Sequence, residues 1–152
     1  MPIREDRPYV QFNFLVQLDP AGDPNDPAAG FQECSNIGME VTVAEYRTGN
    51  MKENSVMKVT GMNKATDVTL KRGVIGVLDL YAWLNDIRNG NQRALKDVTV
   101  TMLSEDRVPV LEWRLLRARI TKCTYGPLNA KGNDAAMEEM VLAYERLELK
   151  AR

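Results

Sequence analysis

The stretch Met39-Glu-Val-Thr-Val-Ala-Glu-Tyr46 alternates in character, with Met39, Val41 and Val43 on one side and Glu40, Thr42 and Tyr46 on the other. A two-residue period matches a β-strand, whose successive side chains point to opposite faces, and not the 3.6-residue turn of a helix. The chain is strand-forming here, and the reading extends outward in both directions. On the N-terminal side, residues 31–35 give a further strand, and Asn36 to Gly38 fits a hairpin turn joining it to the quoted stretch. Residues 9–18 alternate through Val10, Phe12, Phe14, Val16 and Leu18, which predicts a half-buried strand. Between them, residues 19–30 hold three prolines and two glycines among small polar residues, a surface loop.

On the C-terminal side, residues 47–55 are polar, and residues 56–60 and 67–71 resume short alternating runs rich in Val and Thr. This middle section is a candidate for a long, exposed β-arm. The period then changes once: Val77, Leu80, Tyr81, Leu84 and Ile87 recur at three- and four-residue steps. This predicts an amphipathic helix over residues 77–89, with Gly90 placed for a left-handed C-terminal cap. Strands follow at 96–103 and 110–120, separated by a turn at 105–107. In the second, the apolar side changes from Trp113 and Leu115 to Leu116, Ala118 and Ile120, a one-residue slip that predicts a bulge. The last segment fits two patterns. Met137, Met140, Val141, Tyr144 and Leu147 follow a helical period, whereas Met140, Leu142 and Tyr144 alternate, and the helical count is the larger.

At 152 residues the chain is read as one domain, 1–152, long enough to remove roughly 70% of its unfolded surface from water. Apolar residues at 44% and charged residues at 27% belong to a packed protein rather than a disordered or fibrous one. Twenty Lys and Arg against twenty-one Asp and Glu leave no overall positive field of the kind that drives binding to nucleic acid. The first eight residues mix charges and prolines where a secretion signal needs an apolar run, and no segment offers the ~20 apolar residues of a membrane span. Synthesis in the cytoplasm and no membrane insertion are expected. Cys34 and Cys123 match no metal spacing and are read as small buried apolar residues.

Reactive chemistry finds little to build on. The chain has no histidine, which removes every His-dependent triad, metal site and acid–base mechanism. Glu138 and Glu139 are sequence neighbours that diverge in either a strand or a helix, and are read as solvated surface. Asp19, Asp23 and Asp26 lack the spacing and distal Glu of a calcium loop. Gly73 and Gly76 lack the pattern of a phosphate loop. The most basic cluster, Lys71-Arg72-Gly73, has no neighbouring aromatics on which bases could stack, so a strand end or an interface ion pair is the better reading. No catalytic residue, cofactor or metal is assigned, and the protein is not expected to be an enzyme. A ligand-binding β-barrel, or an enzyme using carboxylates paired only by the fold, are the competing classes.

Several of these segments, in this order, resemble the tail tube family of contractile phages and phage-derived extracellular injection systems. They are Phe31-Gln-Glu-Cys-Ser35, Met39-Glu-Val-Thr-Val-Ala-Glu-Tyr-Arg-Thr-Gly49, Val68-Thr-Leu-Lys-Arg-Gly73 and Asp79-Leu-Tyr-Ala-Trp83, then a strand with Trp113, Gly126-Pro-Leu-Asn-Ala130 and Glu139-Met-Val-Leu-Ala-Tyr-Glu145. The resemblance spans residues 9–149. Departures are Ser35-Asn-Ile-Gly38 where Ser-Gly-Leu is more usual, Arg146 after Glu145 where Gly is common, and the long 19–30 loop.

The resemblance implies an α+β, mainly antiparallel β fold: two packed sheets forming a barrel-like sandwich, one flanking helix, and an extended arm over residues 40–69 that would contact adjacent subunits and the next ring. It also implies that the terminal segment is a strand, against the helical count. Copies would close into hexameric rings stacked as a hollow inner tube, with a contractile sheath protein outside, baseplate and terminator tube proteins at the ends, and an effector or DNA as cargo in the lumen. Glu45, Tyr46, Arg47, Lys71 and Arg72 are then candidate contacts between subunits or rings, although plain surface suits them equally. A baseplate tube-initiator paralogue or a type VI secretion tube-like protein shares the same implied fold.

Overall fold

The computed structural model describes residues 5–18, 30–76 and 78–151. The loop expected at residues 19–30 lies outside the described residues except for Gly30, and so does Val77. In chain order the elements are β1 (Phe14–Gln17), β2 (Glu33–Ser35), β3 (Met39–Tyr46), β4 (Met57–Ala65), β5 (Val68–Gly73), α1 (Asp79–Arg88), β6 (Lys96–Leu103), β7 (Pro109–Tyr125), β8 (Met137–Ala143) and β9 (Arg146–Ala151).

β7 is 17 residues long and belongs to two half-sheets. Its first part pairs with β6 on one side and, over Leu111–Leu116, with β9 on the other. Its second part, from Arg119 to Tyr125, pairs with β8, which continues to β5 and β2. The halves are therefore β1-β6-β7-β9 and β7-β8-β5-β2, antiparallel throughout. β8 and β9 run in succession along the same side of β7, so the segment that fits both periods is strand. The order in which its residues meet β7 decides this, and a helical count made within the segment cannot contain it.

The bulge predicted in β7 is present. Lys96 faces Ala118 while Val98 faces Leu115, which leaves one extra residue in β7, and Arg117 adopts the left-handed φ of 53° there. The insertion lets Leu115 on one side of it, and Ala118 and Ile120 on the other, all point inward with no exposed surface. They join Val98 and Val100 of one half and Val68, Leu70, Met140 and Leu142 of the other in one buried cluster. Helix α1 adds Leu80 and Trp83 to it. The Trp83 indole N–H donates to the Ala94 carbonyl at 2.7 Å, and the Lys96 ammonium lies 5.0 Å from the ring centre. The helix ends at Arg88, and Gly90 takes the expected left-handed conformation at φ 94°.

Several expectations need correction. The first strand covers only Phe14–Gln17, and Phe12 is 70% exposed rather than part of a buried face. Asn36 to Gly38 is not a hairpin turn, because β2 pairs with β5 and β3 pairs with β4. This tripeptide is a crossover between sheets: the Tyr144 hydroxyl donates to the Gly38 carbonyl at 2.9 Å, and the Thr66 hydroxyl donates to the Asn36 carbonyl at 2.7 Å. Among the described residues the larger sheet does not close into a barrel. The cysteines are half-buried and unpaired.

β3 and β4 form a separate two-stranded ribbon. β4 carries one extra residue opposite Thr42, between the pairs Val41–Asn63 and Val43–Thr60. A side chain at Gly61 would lie 2.7 Å from the Thr42 hydroxyl and 3.0 Å from its carbonyl oxygen, so the close approach requires glycine.

Trp83→Ala removes a buried ring and its hydrogen bond, and is expected to cost about 3–5 kcal/mol of folding stability. Leu128→Ala, at a side chain 86% exposed, should stay within about 0.5 kcal/mol of the parent. Urea denaturation of both variants measures the contrast.

Candidate assembly surfaces

The five residues singled out by sequence fall in three different environments. Glu45, Tyr46 and Arg47 stand together, all exposed, at the end of β3 where the ribbon narrows to its tip. Glu45 is opposite Lys58, and Tyr46 is opposite Met57. The Arg47 guanidinium donates to the Glu53 carbonyl at 3.2 Å and so is tied to its own tip loop. Lys71 lies on the outward face of β5, 3.7 Å from the Glu33 carboxylate and opposite Glu139.

Arg72 is elsewhere altogether. Its side chain is 1% exposed and its charge is engaged inside the subunit, which corrects its reading as a surface or interface cation. The alternation of β5 places Arg72 on the same side as Val68 and Leu70, facing the core. Its Nε donates to Glu138 Oε1, and its terminal nitrogens grip Asp79 at 2.5 and 3.3 Å. The guanidinium also lies over the Phe31 ring, 5.6 Å from its centre. Burial alone would lower the Arg72 pKa, but the hydrogen bonds and charges of Asp79 and Glu138 outweigh it and raise the value. Glu138, read from sequence as solvated, is 6% exposed. The triad ties β5, β8 and the first turn of α1 together. Asp79 sits where the positive end of the helix dipole favours an anion.

Sequence reasoning missed Glu138 and Asp79 as partners, yet one signal was present. Glu138, Met140 and Leu142 share one side of a strand, so whichever face buries the two apolar residues also buries the carboxylate.

The fold thus brings two carboxylates close, but around an arginine that engages both, and not toward an open cleft. Among the described residues no group of three or more acidic, Cys or His side chains is placed to hold a metal ion. Burial pushes the Cys34 thiol up to about 12, with the Glu33 charge adding to the effect, so it remains a protonated, weakly nucleophilic group near neutral pH. An open cleft of about 490 Å3, lined in part by Phe12, Phe14, Ile37, Val100 and Trp113, lies between β1 and β2.

What the surface does offer is unfinished backbone. Among the described residues β1 pairs only with β6, β2 only with β5 and β9 only with β7, while β7 from Arg119 to Tyr125 pairs on one side with β8. Among the described residues, each half-sheet has two outer strands without a strand partner beyond them. Every residue of β3, and all of β4 except Ala65, is exposed.

The sequence pattern of the T4-like virus tail tube protein gp19 family matches residues 10–148. A chain of an extracellular contractile injection system, the PVC sheath-tube complex in its extended state, is 26% identical with a TM-score of 0.82, covering 97% of this chain and 94% of that one. A chain of the PVC sheath/tube terminator in its extended state is also 26% identical with a TM-score of 0.82, covering 96% and 99%. A chain of the tube-terminating cap of the anti-feeding prophage shares the fold at a TM-score of 0.83 and 24% identity, covering 100% and 97%. No curated protein sequence matches the chain.

Removing one member of a buried ion pair strands its partner's charge. Glu138→Ala is therefore expected to lower stability by about 3–5 kcal/mol. Asp79→Ala should cost less, because Asp79 is 35% exposed and water replaces part of what Arg72 loses. Arg72→Glu is expected to prevent folding, seen as loss of the cooperative thermal transition, rather than to shift the salt dependence of assembly.

Proposed function

The chain belongs to the T4-like virus tail tube protein gp19 family, and from that premise we propose that it is the repeating subunit of a contractile injection system's inner tube, closing into hexameric rings that stack. The observation that carries this reading is the set of open strand edges. Unpaired edges are a liability in an isolated domain, and rotational symmetry removes it by giving each edge a neighbour.

The strand count supports ring closure. Each half-sheet has four antiparallel strands, so its two outer strands run in opposite directions. When copies are related by rotation about a common axis, the outer strand of one meets the oppositely directed outer strand of the next. The antiparallel ladder then continues without a mismatch. The ribbon β3–β4 supplies a second kind of contact. A two-stranded ribbon exposed on both faces is marginal by itself in water, and neighbouring copies would cover it. In this reading Glu45, Tyr46 and Arg47 contribute to contacts at the ribbon end, and Lys71 to the polar face of its half-sheet.

Function is then mechanical. The tube encloses a channel for an effector or DNA, a contractile sheath surrounds it, and baseplate and terminator proteins bound its ends. Nothing in this role requires bond-making by the subunit. A terminal copy at one end of a tube is the second reading, suggested by the terminator chain that the fold matches so closely.

Negative-stain images of the purified protein should show rings or rods with a central hole. Monomers under all conditions, by light scattering and imaging, would overturn the tube reading, and single rings that never stack would favour the terminal copy. Deleting residues 48–55, the ribbon tip, should leave a folded protein that forms no tubes; tubes of parental length would remove the tip from the contacts.

A further inference from the structure

The charges on the outward face of the half-sheet β7-β8-β5-β2 follow one order. Directly opposed residues of neighbouring strands share a face. The outward rows run Glu33–Lys71–Glu139–Thr124 and Ser35–Thr69–Val141–Lys122, and Arg119 is opposite Ala143. On this face β2 carries one charge, Glu33, and β5 one, Lys71; β8 carries Glu139, and β7 from Arg119 onward carries Arg119 and Lys122. The other charged residues of these strand segments, Arg72 and Glu138, are buried on the core side. The sign of the outward charge therefore changes at every strand, with unlike charges about 5 Å apart across the sheet.

We propose that this face is the wall of the tube's channel, and that its alternating charges let polypeptide cargo of either net charge pass without being held. The proposal rests on the tube reading and goes further, because a hollow tube does not by itself say what its wall attracts.

Charge and circumference place this face toward the channel. At a joint between copies, β2 with Glu33 would meet β7 of the next copy with Arg119 and Lys122, so unlike charges meet and the alternation continues round the ring. The other half-sheet has no such match, since its outer strands are β1, without charge, and β9, with Arg146, Glu148 and Lys150. Packed sheets lie about 10 Å apart, so in a ring of six the outer layer must span about 10 Å more per copy, the width of two strands. Both half-sheets have four strands, and an unbroken outer layer would leave the inner one too little room. The unbroken layer is the inner one, and its face away from the core borders the channel.

The effect on cargo follows from the spacing. Opposite charges one strand apart cancel at distances beyond that spacing, within the ~8 Å screening length of physiological salt. Cargo kept off the wall by a layer or two of water meets almost no field. Nucleic acid has a fixed sign, so a wall of one sign would repel it throughout or hold it through counterion release. Alternation gains nothing there. It serves cargo whose net charge differs from one molecule to the next, as that of polypeptides does. These rows also contain no aromatic side chain on which bases could stack.

The first arm of the test locates the wall in tubes of the full chain. Thr69→Cys lies on the proposed wall, and Arg114→Cys on the outward face of the other half-sheet, in the row of Thr99 and Glu148. A small maleimide should label both above the parental background, whereas a maleimide carried on a particle wider than the tube should label only Arg114→Cys. The reverse pattern, or equal labelling of both by the particle, would overturn the wall assignment and leave the tube reading intact. The second arm measures retention of fluorescent polyglutamate, polylysine and a short DNA duplex by open tubes after sedimentation. Parental tubes should retain little of each at physiological salt. Glu139→Lys and Lys71→Glu, on the two middle strands away from the joint, should raise retention of polyglutamate and polylysine respectively at least tenfold, reversed by high salt. Glu139→Gln and Lys71→Gln should give smaller shifts of the same sign. Strong salt-dependent retention of DNA or of one polyion by parental tubes, or variants that bind as the parent does, would overturn the balanced wall. A parental protein that never forms rings or tubes would instead sink the tube reading itself.

Discussion

The structure depends on β7 serving two half-sheets at once. A strand of 17 residues cannot keep one face toward a core that wraps around it unless its alternation is reset along the way. The extra residue at Arg117 does this. Before it, Leu115 faces inward; after it, Ala118 and Ile120 do. The core, the seat of α1 beside β7, and the division of β8 from β9 all follow from that reset. Glu145, at the division, donates its N–H to the Leu116 carbonyl at 3.0 Å and pairs through its carboxylate with Arg117. The break between the two terminal strands is thus pinned to the break in β7.

Charge is handled in two contrasting ways. Inside, Arg72 is held by Glu138 and Asp79 beneath Phe31, where low solvent access makes the geometry of each partner matter. Outside, pairs such as Lys71 with Glu33 are solvated and contribute little to stability on their own. The adjacent residues Lys71 and Arg72 belong to these two regimes because a strand turns neighbours to opposite faces. Their shared sign and sequence position made them look like one basic cluster.

In the proposed assembly the free subunit is an unfinished object. Among the described residues its half-sheets end in strands with no strand partner beyond them, and its ribbon shows apolar side chains on two faces. Features of this kind are suppressed in proteins that remain monomeric, by charged edges or covering loops. β9, with Arg146, Glu148 and Lys150, shows such charging, whereas β2 is a three-residue strand with one charge.

Local pattern was enough for much of this. The alternation at residues 39–46 and 96–103 marked β3 and β6 at their true limits, the three- and four-residue steps marked α1, and the apolar slip marked the bulge in β7. These features are written in neighbouring side chains, and one strand or one helix suffices to express them. The tertiary structure decided what depends on distant partners. It made the terminal segment strand by laying it along β7, turned the expected 36–38 hairpin into a crossover by giving β2 to β5, and drew Glu138 and Asp79 around Arg72. Sequence determines which faces a segment can present. Only the closed core determines which face is buried and which charge waits there to meet it.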